Sequence, residues 1–370
     1  MLLRFAVSEK LLGGKIMPLP SIQIVFKQVG ASAVAQGSTG IAALILKDAS
    51  VTSGVTEHQL FTVSDIPAAL SAANKNYAQL ALTGAPSQVK LVVIPAEAAD
   101  YAAAQEYLET IHWNVLAVPG IVSADAAGMG TWAKGLFETK LRKITAVLPA
   151  VAADHPAVVN FTTNNIKVGS TVYTTSDFTA RIAGLIAGLP LSVSPTYQLL
   201  PEVTDVPKLT RAQADAAVDA GQLILYHDGE KVKIARGVTS FVTPTEALGA
   251  DWKKIKVVRI LNKIYEDIRT TAEDNYIGKI NNSYINKLLL VAAINAYFEQ
   301  LEQSGVLDPG KSTAGIDTAA QRTYLQSIGV STVGWNDQQV REANSRDQVF
   351  LTAAAKPLDA IEDIKLDIYL

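Results

Sequence analysis

Gly305-Val-Leu-Asp-Pro-Gly-Lys311-Ser312 has the residue types and spacing of a phosphate-cradling loop. Such a loop curls backbone N–H groups around phosphates, adds a lysine, and places a hydroxyl on Mg²⁺. It needs a strand before it and a helix after it. Here the apolar run from about Ser283 to Gln303 reads as a long helix, so Gly305 serves as its C-terminal cap. Pro309 removes one amide donor from the cradle. No strand ending in an aspartate for Mg²⁺ follows just downstream, and a nucleotide site is not expected.

Other chemistry is equally sparse. His58, His112, His155 and His227 do not pair at ligand spacing, and no H-E-x-x-H arrangement exists. Cysteine is absent, which excludes disulfides, thiolate metal sites and cysteine nucleophiles. No G-x-S-x-G elbow supplies a hydrolase serine. Gly128-Met-Gly130 lacks the third glycine of a dinucleotide loop and does not directly follow a strand. The acid pairs Glu202/Asp205 and Glu273/Asp274 are most simply solvated surface. The expectation is a protein that is not an enzyme and holds no metal or cofactor.

Composition agrees with a large folded body. Of 370 residues, 49% are hydrophobic and 18% charged, with a net charge of −3. That supports two or three domains with sizeable cores. Charges are dispersed, so nucleic-acid binding gains no support. No apolar run reaches the roughly 18–20 residues that span a bilayer, so membrane insertion is not expected. Gly13-Gly-Lys-Ile-Met17 resembles a translated ribosome-binding site before a start codon. Either Met17 is the natural start and 1–16 an upstream extension, or 1–16 is a genuine N-terminal extension.

These side chains hang on a legible series of elements. Residues 31–88 read as a small β-rich unit, with strands at Ile41–Leu46 and Leu60–Val63 and a helix capped by Ser64-Asp65 with Pro67 in its first turn. Residues 89–243 read as an α/β domain. Strands at Lys90–Ile94, Asn114–Val118 and Ile144–Leu148 alternate with helices over 97–111 and 123–140, which implies βαβ units and a parallel sheet. Hairpins follow around Gly169 and around Asp228-Gly229, with a helix at 176–188 between them. Residues 244–355 carry two long helices, a linker at 308–315, a helix near 317–327, a polar stretch 336–348 and a strand at 349–353.

Both ends are strand-like. Ile364, Leu366, Ile368 and Leu370 alternate with Lys365, Asp367 and Tyr369, placing apolar and polar rows on opposite faces. Near the front, Ser21-Ile22-Gln23-Ile24-Val25-Phe26-Lys27 is a second extended segment inside an arm at 17–30. A bare strand leaves unpaired main-chain groups and an oily face in water, so each segment wants a sheet in its own subunit or a neighbour's.

Segments spread over residues 17–370 resemble one family. They are Leu19–Lys27, Gly37-Ser-Thr-Gly-Ile-Ala-Ala-Leu-Ile-Leu-Lys-Asp48, Ile186–Leu191, Ala235-Arg-Gly-Val-Thr-Ser240, Arg259–Ile268, Tyr276–Lys279 and Lys356-Pro-Leu-Asp-Ala-Ile-Glu-Asp363. In this order the chain resembles the tail sheath proteins of contractile bacteriophage tails and R-type tailocins, particularly the compact sheaths of Gram-positive phages.

The resemblance implies a homo-oligomer of stacked rings around an inner tail tube, with baseplate and tail terminator proteins as further partners. It places the protein in a virion tail or tailocin particle, assembled in the bacterial cytoplasm and released by lysis. The expected fold class is α/β and α+β multidomain. A small β-rich N-terminal unit and a βαβ parallel-sheet middle domain precede an α+β C-terminal domain completed by strand exchange between subunits. The N-arm 21–27 and the C-arm 364–370, within a segment 356–370, would donate the strands. Hinges are expected near Gly30–Gly40 and Lys356-Pro357. Lys253, Lys254, Lys256, Arg259, Lys263 and Lys279 could face an acidic tube.

Overall fold

The computed structural model describes residues 33–37, 40–246 and 248–369. The expected N-arm 21–27, the Met17 start and Leu370 lie outside the described residues.

Among the described residues the body is built on seven strands: β1 (Ile41–Asp48), β2 (Thr56–Leu60), β3 (Gln88–Pro95), β4 (Val115–Ala117), β5 (Thr145–Pro149), β6 (Val158–Phe161) and, after two hairpin strands, a short one at Gln222–Leu223. Across the sheet they run β2-β3-β1-β4-β5-β6 and then Gln222–Leu223. Only β2 is antiparallel, pairing with β3; every other neighbouring pair is parallel. β1 is buried along nearly its whole length, as is β3. Strands covered on both faces read as continuous apolar runs, which is why they were visible in the sequence.

Helices α1 (Ala72–Thr83), α2 (Ala102–Thr110), α3 (Ser123–Glu138) and α4 (Thr175–Gly188) cover the sheet. α1 and α4 pack on one face with Phe161, Phe178 and Ile186. α2 and α3 pack on the other around Trp113, Leu108 and Met129. α1 and α4 approach so closely that a Cβ on Gly184 would sit 2.0 Å from the Ala81 carbonyl oxygen.

The expected break between residues 88 and 89 is therefore absent. β1 lies at the middle of the sheet between β3 and β4, so residues 41–60 are part of the α/β layer and not a separate β-rich unit. β1 pairs with strands much further along the chain, Ile41 opposite Gln88 and Ala42 opposite Val115, and local periodicity does not reveal such partners. The Ser64 cap is corrected too. A short 3₁₀ turn occupies Val63–Asp65, and α1 begins after Ser71, whose side chain accepts from Asn74 N–H at 3.3 Å.

The hairpins form as expected: β7 (Ile166–Val168) with β8 (Thr171–Tyr173) across Gly169, and, beyond α5 (Arg211–Asp219) and the sheet's last strand β9 (Gln222–Leu223), β10 (Leu225–His227) with β11 (Val232–Ile234). The C-terminal part comprises α6 (Ile255–Asn275), α7 (Tyr284–Gln303), β12 (Thr313–Ile316), α8 (Thr318–Ser327), α9 (Asp337–Glu342) and β13 (Leu351–Ala354). Its core joins Ile260, Ile264, Tyr297, Phe298 and Leu307 with Val34. Residues 313–315, expected in a linker, form β12 together with Ile316, and the polar stretch 336–348 contains α9.

Candidate assembly interface

The phosphate-loop pattern is already occupied by the chain itself. The Glu302 carboxylate accepts from Gly310 N–H at 3.0 Å and from Ser312 N–H at 3.2 Å. Those amides hold the carboxyl below the usual carboxylate range, Gly310 contributing most. A helix precedes the loop and β12 follows it, the reverse of what a P-loop needs. The histidines lie apart: His58 on β2, His112 after α2, His155 before β6, His227 on β10. Among the described residues no cluster of three or more metal-ligating side chains forms, and no helix is long and apolar enough to cross a membrane.

The C-terminal segment has the most informative geometry. From Lys356 to Asp363 it is fastened to the body. Asp308 N–H donates to the Lys356 carbonyl at 2.8 Å, and Leu358 N–H donates to the Val306 carbonyl at 2.9 Å. Lys254 pairs with Asp359. The Glu362 carboxylate, only 7% exposed, takes Arg236 Nε at 3.0 Å, Thr196 Oγ1 at 2.5 Å and Ser194 Oγ at 3.1 Å. Arg236 also pairs with Asp363, which chiefly raises its already high pKa.

Beyond this clasp the fastening stops. Ile364 is 83% exposed, Leu366 75%, Ile368 76% and Tyr369 91%. Among the described residues, the expected C-arm strand finds no partner strand. The hinge expected at Lys356-Pro357 is corrected: bonds on both sides fix that dipeptide, and the free segment starts at Ile364.

At the front, residues 33–37 are also held. Ala35 N–H donates to Thr271 Oγ1 at 3.2 Å, and Gly37 N–H to Asp267 Oδ1 at 2.9 Å. Asp267 also accepts from Tyr297 Oη at 2.7 Å and pairs with Lys263 at 2.6 Å. This part of the expected Gly30–Gly40 hinge is pinned to α6.

The six candidate tube-facing cations do not form one surface. Arg259 reaches under the end of α4, donating to the Leu189 carbonyl at 2.7 Å; burial draws its pKa down to about 10. Its charge meets the negative end of that helix. Lys256 is 3% exposed and feels the tail's Asp359 and Glu362, although burial lowers its pKa. Lys263 is committed to Asp267 and the Gly37 carbonyl, and Lys254 to Asp359. Arg259, Lys256 and Lys263 are thus corrected as outward-facing groups, because α6 turns them into the body. Lys253 is partly exposed and Lys279 exposed. The acidic partner that Lys254 and Lys256 meet is the chain's own C-terminal segment.

β12 and β13 form an antiparallel ribbon beside α7. The residues β13 presents, Thr352, Ala353 and Ala354, are exposed. Asn295 of α7 bonds both peptide groups of Ala314, accepting at 2.7 Å and donating at 3.2 Å. Sequence reading missed Arg236, Glu362 and Asn295 as paired groups. Arg236 and Glu362 both fall inside segments that carry the family resemblance, the one available signal.

Comparison with known proteins agrees with this architecture. Residues 95–240 match the phage tail sheath protein central domain, and residues 249–370 match the phage tail sheath C-terminal domain. The chain is 33% identical over 359 residues to the tail sheath protein of Clostridium phage phiCD119, covering 95% of this chain and 99% of that one. Its fold is similar to that of the anti-feeding prophage helical sheath in the contracted state (TM-score 0.71, 14% identity, 96% and 99% coverage). It is also similar to the sheath tail protein Lin1278 of Listeria innocua (TM-score 0.68, 14% identity, 89% and 94% coverage). The chain belongs to the phage tail sheath protein family and is a structural subunit of a contractile sheath.

Proposed function

We propose that this subunit polymerises helically around an inner tail tube and contracts to drive that tube through a target cell envelope. The observation that carries the reading is the segment after Asp363, an alternating apolar segment that leaves a fastened root and has no partner strand among the described residues. Strand addition supplies the link. Main-chain hydrogen bonds give affinity, and alternating side chains fix register. Donor arm and acceptor ribbon are different surfaces, so the contact is heterologous and propagates.

In this reading the arms 21–27 and 364–370 of neighbouring copies complete the sheet begun by β12 and β13. Residues 364–370 reach about 23 Å when extended, at roughly 3.3 Å per residue. Bodies slide and rotate as nearly rigid units while the arms keep them linked. Energy is stored at assembly and held behind a barrier, so contraction needs no nucleotide and no catalysis by the subunit. The baseplate triggers release, a terminator protein closes the far end, and assembly occurs in the bacterial cytoplasm before lysis. Lys253 and Lys279 remain candidates for facing the tube.

Negative-stain microscopy of the full chain and of a chain ending at Asp363 tests this. Long sheaths or polysheaths are expected from the first and not from the second. Long sheaths from the shortened chain would overturn the linking role.

A further inference from the structure

The ribbon has two edges, and they differ. Asp317 N–H donates to the Phe350 carbonyl at 3.0 Å, just beyond the strands. Ala314 lies opposite Ala353, and Gly315 opposite Thr352. Antiparallel pairs alternate between bonded and non-bonded, so 313, 315 and 317 bond across to 354, 352 and 350. Ala314 therefore turns its N–H and C=O to the outer side of β12. Both are taken by Asn295, at 2.7 Å and 3.2 Å. A side-chain amide on α7 stands where the peptide of a further strand would stand.

The same alternation turns the N–H and C=O of Leu351 and Ala353 to the outer side of β13. Among the described residues nothing bonds to them. Past Leu351 the residues along that edge, Thr352, Ala353 and Ala354, are small and exposed. An unpaired edge of this kind is a template for another strand unless it is covered.

We infer that Asn295 makes the ribbon one-sided, so that a second copy adds its segment 364–370 to β13 and not to β12. This rests on the strand-donation reading above. The segment fits the edge. Its apolar row (Ile364, Leu366, Ile368) continues the face where Ile316 lies opposite Leu351, and Lys365, Asp367 and Tyr369 continue the exposed Thr352 face. With one edge closed, each ribbon has one direct acceptor site, which prevents branching of the lattice.

The chain has no cysteine, so disulfide trapping has no background. Full-length chains carrying Asp367→Cys are mixed with chains carrying Thr352→Cys on β13 or Thr313→Cys on β12, then oxidised. Lys365→Cys and Tyr369→Cys are run beside Asp367→Cys to cover register. The expected result is about tenfold more intermolecular product through β13, the factor given by about 1.4 kcal/mol of main-chain bonding. Adding Asn295→Ala to the Thr313→Cys chain should raise the β12 product. Equal product at both edges with Asn295 present overturns the closed edge and leaves strand donation standing. No product at either edge sinks strand donation and this inference together. Trapping of β13 by Gln23→Cys but by none of the C-terminal cysteines overturns the choice of segment.

Discussion

Arg236 Nε meets the Glu362 carboxylate at 3.0 Å across 126 residues of sequence, and this contact sets where the C-terminal segment leaves the body. Thr196 and Ser194 hold the same carboxylate, so the root is held by more than one group. Arg236→Ala should cost about 1 kcal/mol or less of global stability, because the guanidinium is partly solvated. Its local effect should be larger. Amide exchange over residues 358–363 should quicken about tenfold while exchange in β1 and β3 stays unchanged. Unchanged exchange at 358–363 would show that Arg236 does not hold the root.

Asp267 joins the front segment, α6 and α7 through Gly37, Lys263 and Tyr297. Its side chain is 2% exposed and that of Lys263 10%. Asp267→Ala would leave an unpaired buried ammonium, which costs about 3–5 kcal/mol. Urea denaturation measures this, and Asp267→Asn should lose less because it can still accept from Tyr297. Equal losses in the two variants would contradict the account.

Gly184 marks the crossing of α1 and α4. A methyl there would lie 2.0 Å from the Ala81 carbonyl oxygen and 2.8 Å from the Ala81 Cα, both backbone atoms that cannot rotate away. Gly184→Ala should destabilise by about 3 kcal/mol or more, at the upper end of overpacking costs. A Gly128→Ala control on α3, where nothing lies within 4 Å, should be neutral or mildly stabilising. Similar melting temperatures for the two would refute the close packing.

His155 is 4% exposed, packs edge-on against Phe137 and bonds Glu138 at 3.1 Å. Burial draws its pKa below the ordinary 6.5, with Lys134 and Lys143 adding to the fall and Glu138 opposing it. The unfolded chain therefore takes up this proton at a higher pH than the folded one. The stability contribution is complete above about pH 6.5 and declines as the pH falls below it. Denaturation midpoints at pH 7.5 and 5.5 should differ less in His155→Gln than in the parent. An unchanged difference would place the pH dependence elsewhere.

Several local signals were legible, although the Ser64-Asp65 cap misplaced the start of α1. β1, β3, β4 and β5 announce themselves as apolar runs because both faces are covered, and the Asp228-Gly229 hairpin because its turn residues specify it. The alternation of 364–369 was equally plain, and its side chains are open to solvent. β12 was hidden, because Thr313-Ala-Gly-Ile316 has little strand character and depends on Asn295 and β13 for its pairing. The lysines of α6 were misread for the same reason: helical periodicity shows a cationic stripe but not which body lies against it.

Taken alone, the residue order determined the alternating α/β rhythm, the poverty of catalytic groups, the family likeness and the strand-like character of the C-terminal segment. These follow from period, side-chain type and turn chemistry, which act over a few residues. Tertiary structure alone decided that β1 sits mid-sheet, that Glu302 fills the phosphate-like loop, that α6 turns its cations inward, and that the free segment begins after Asp363. Each depends on groups brought together from distant parts of the chain, where burial and pairing, not spacing, fix what a residue does.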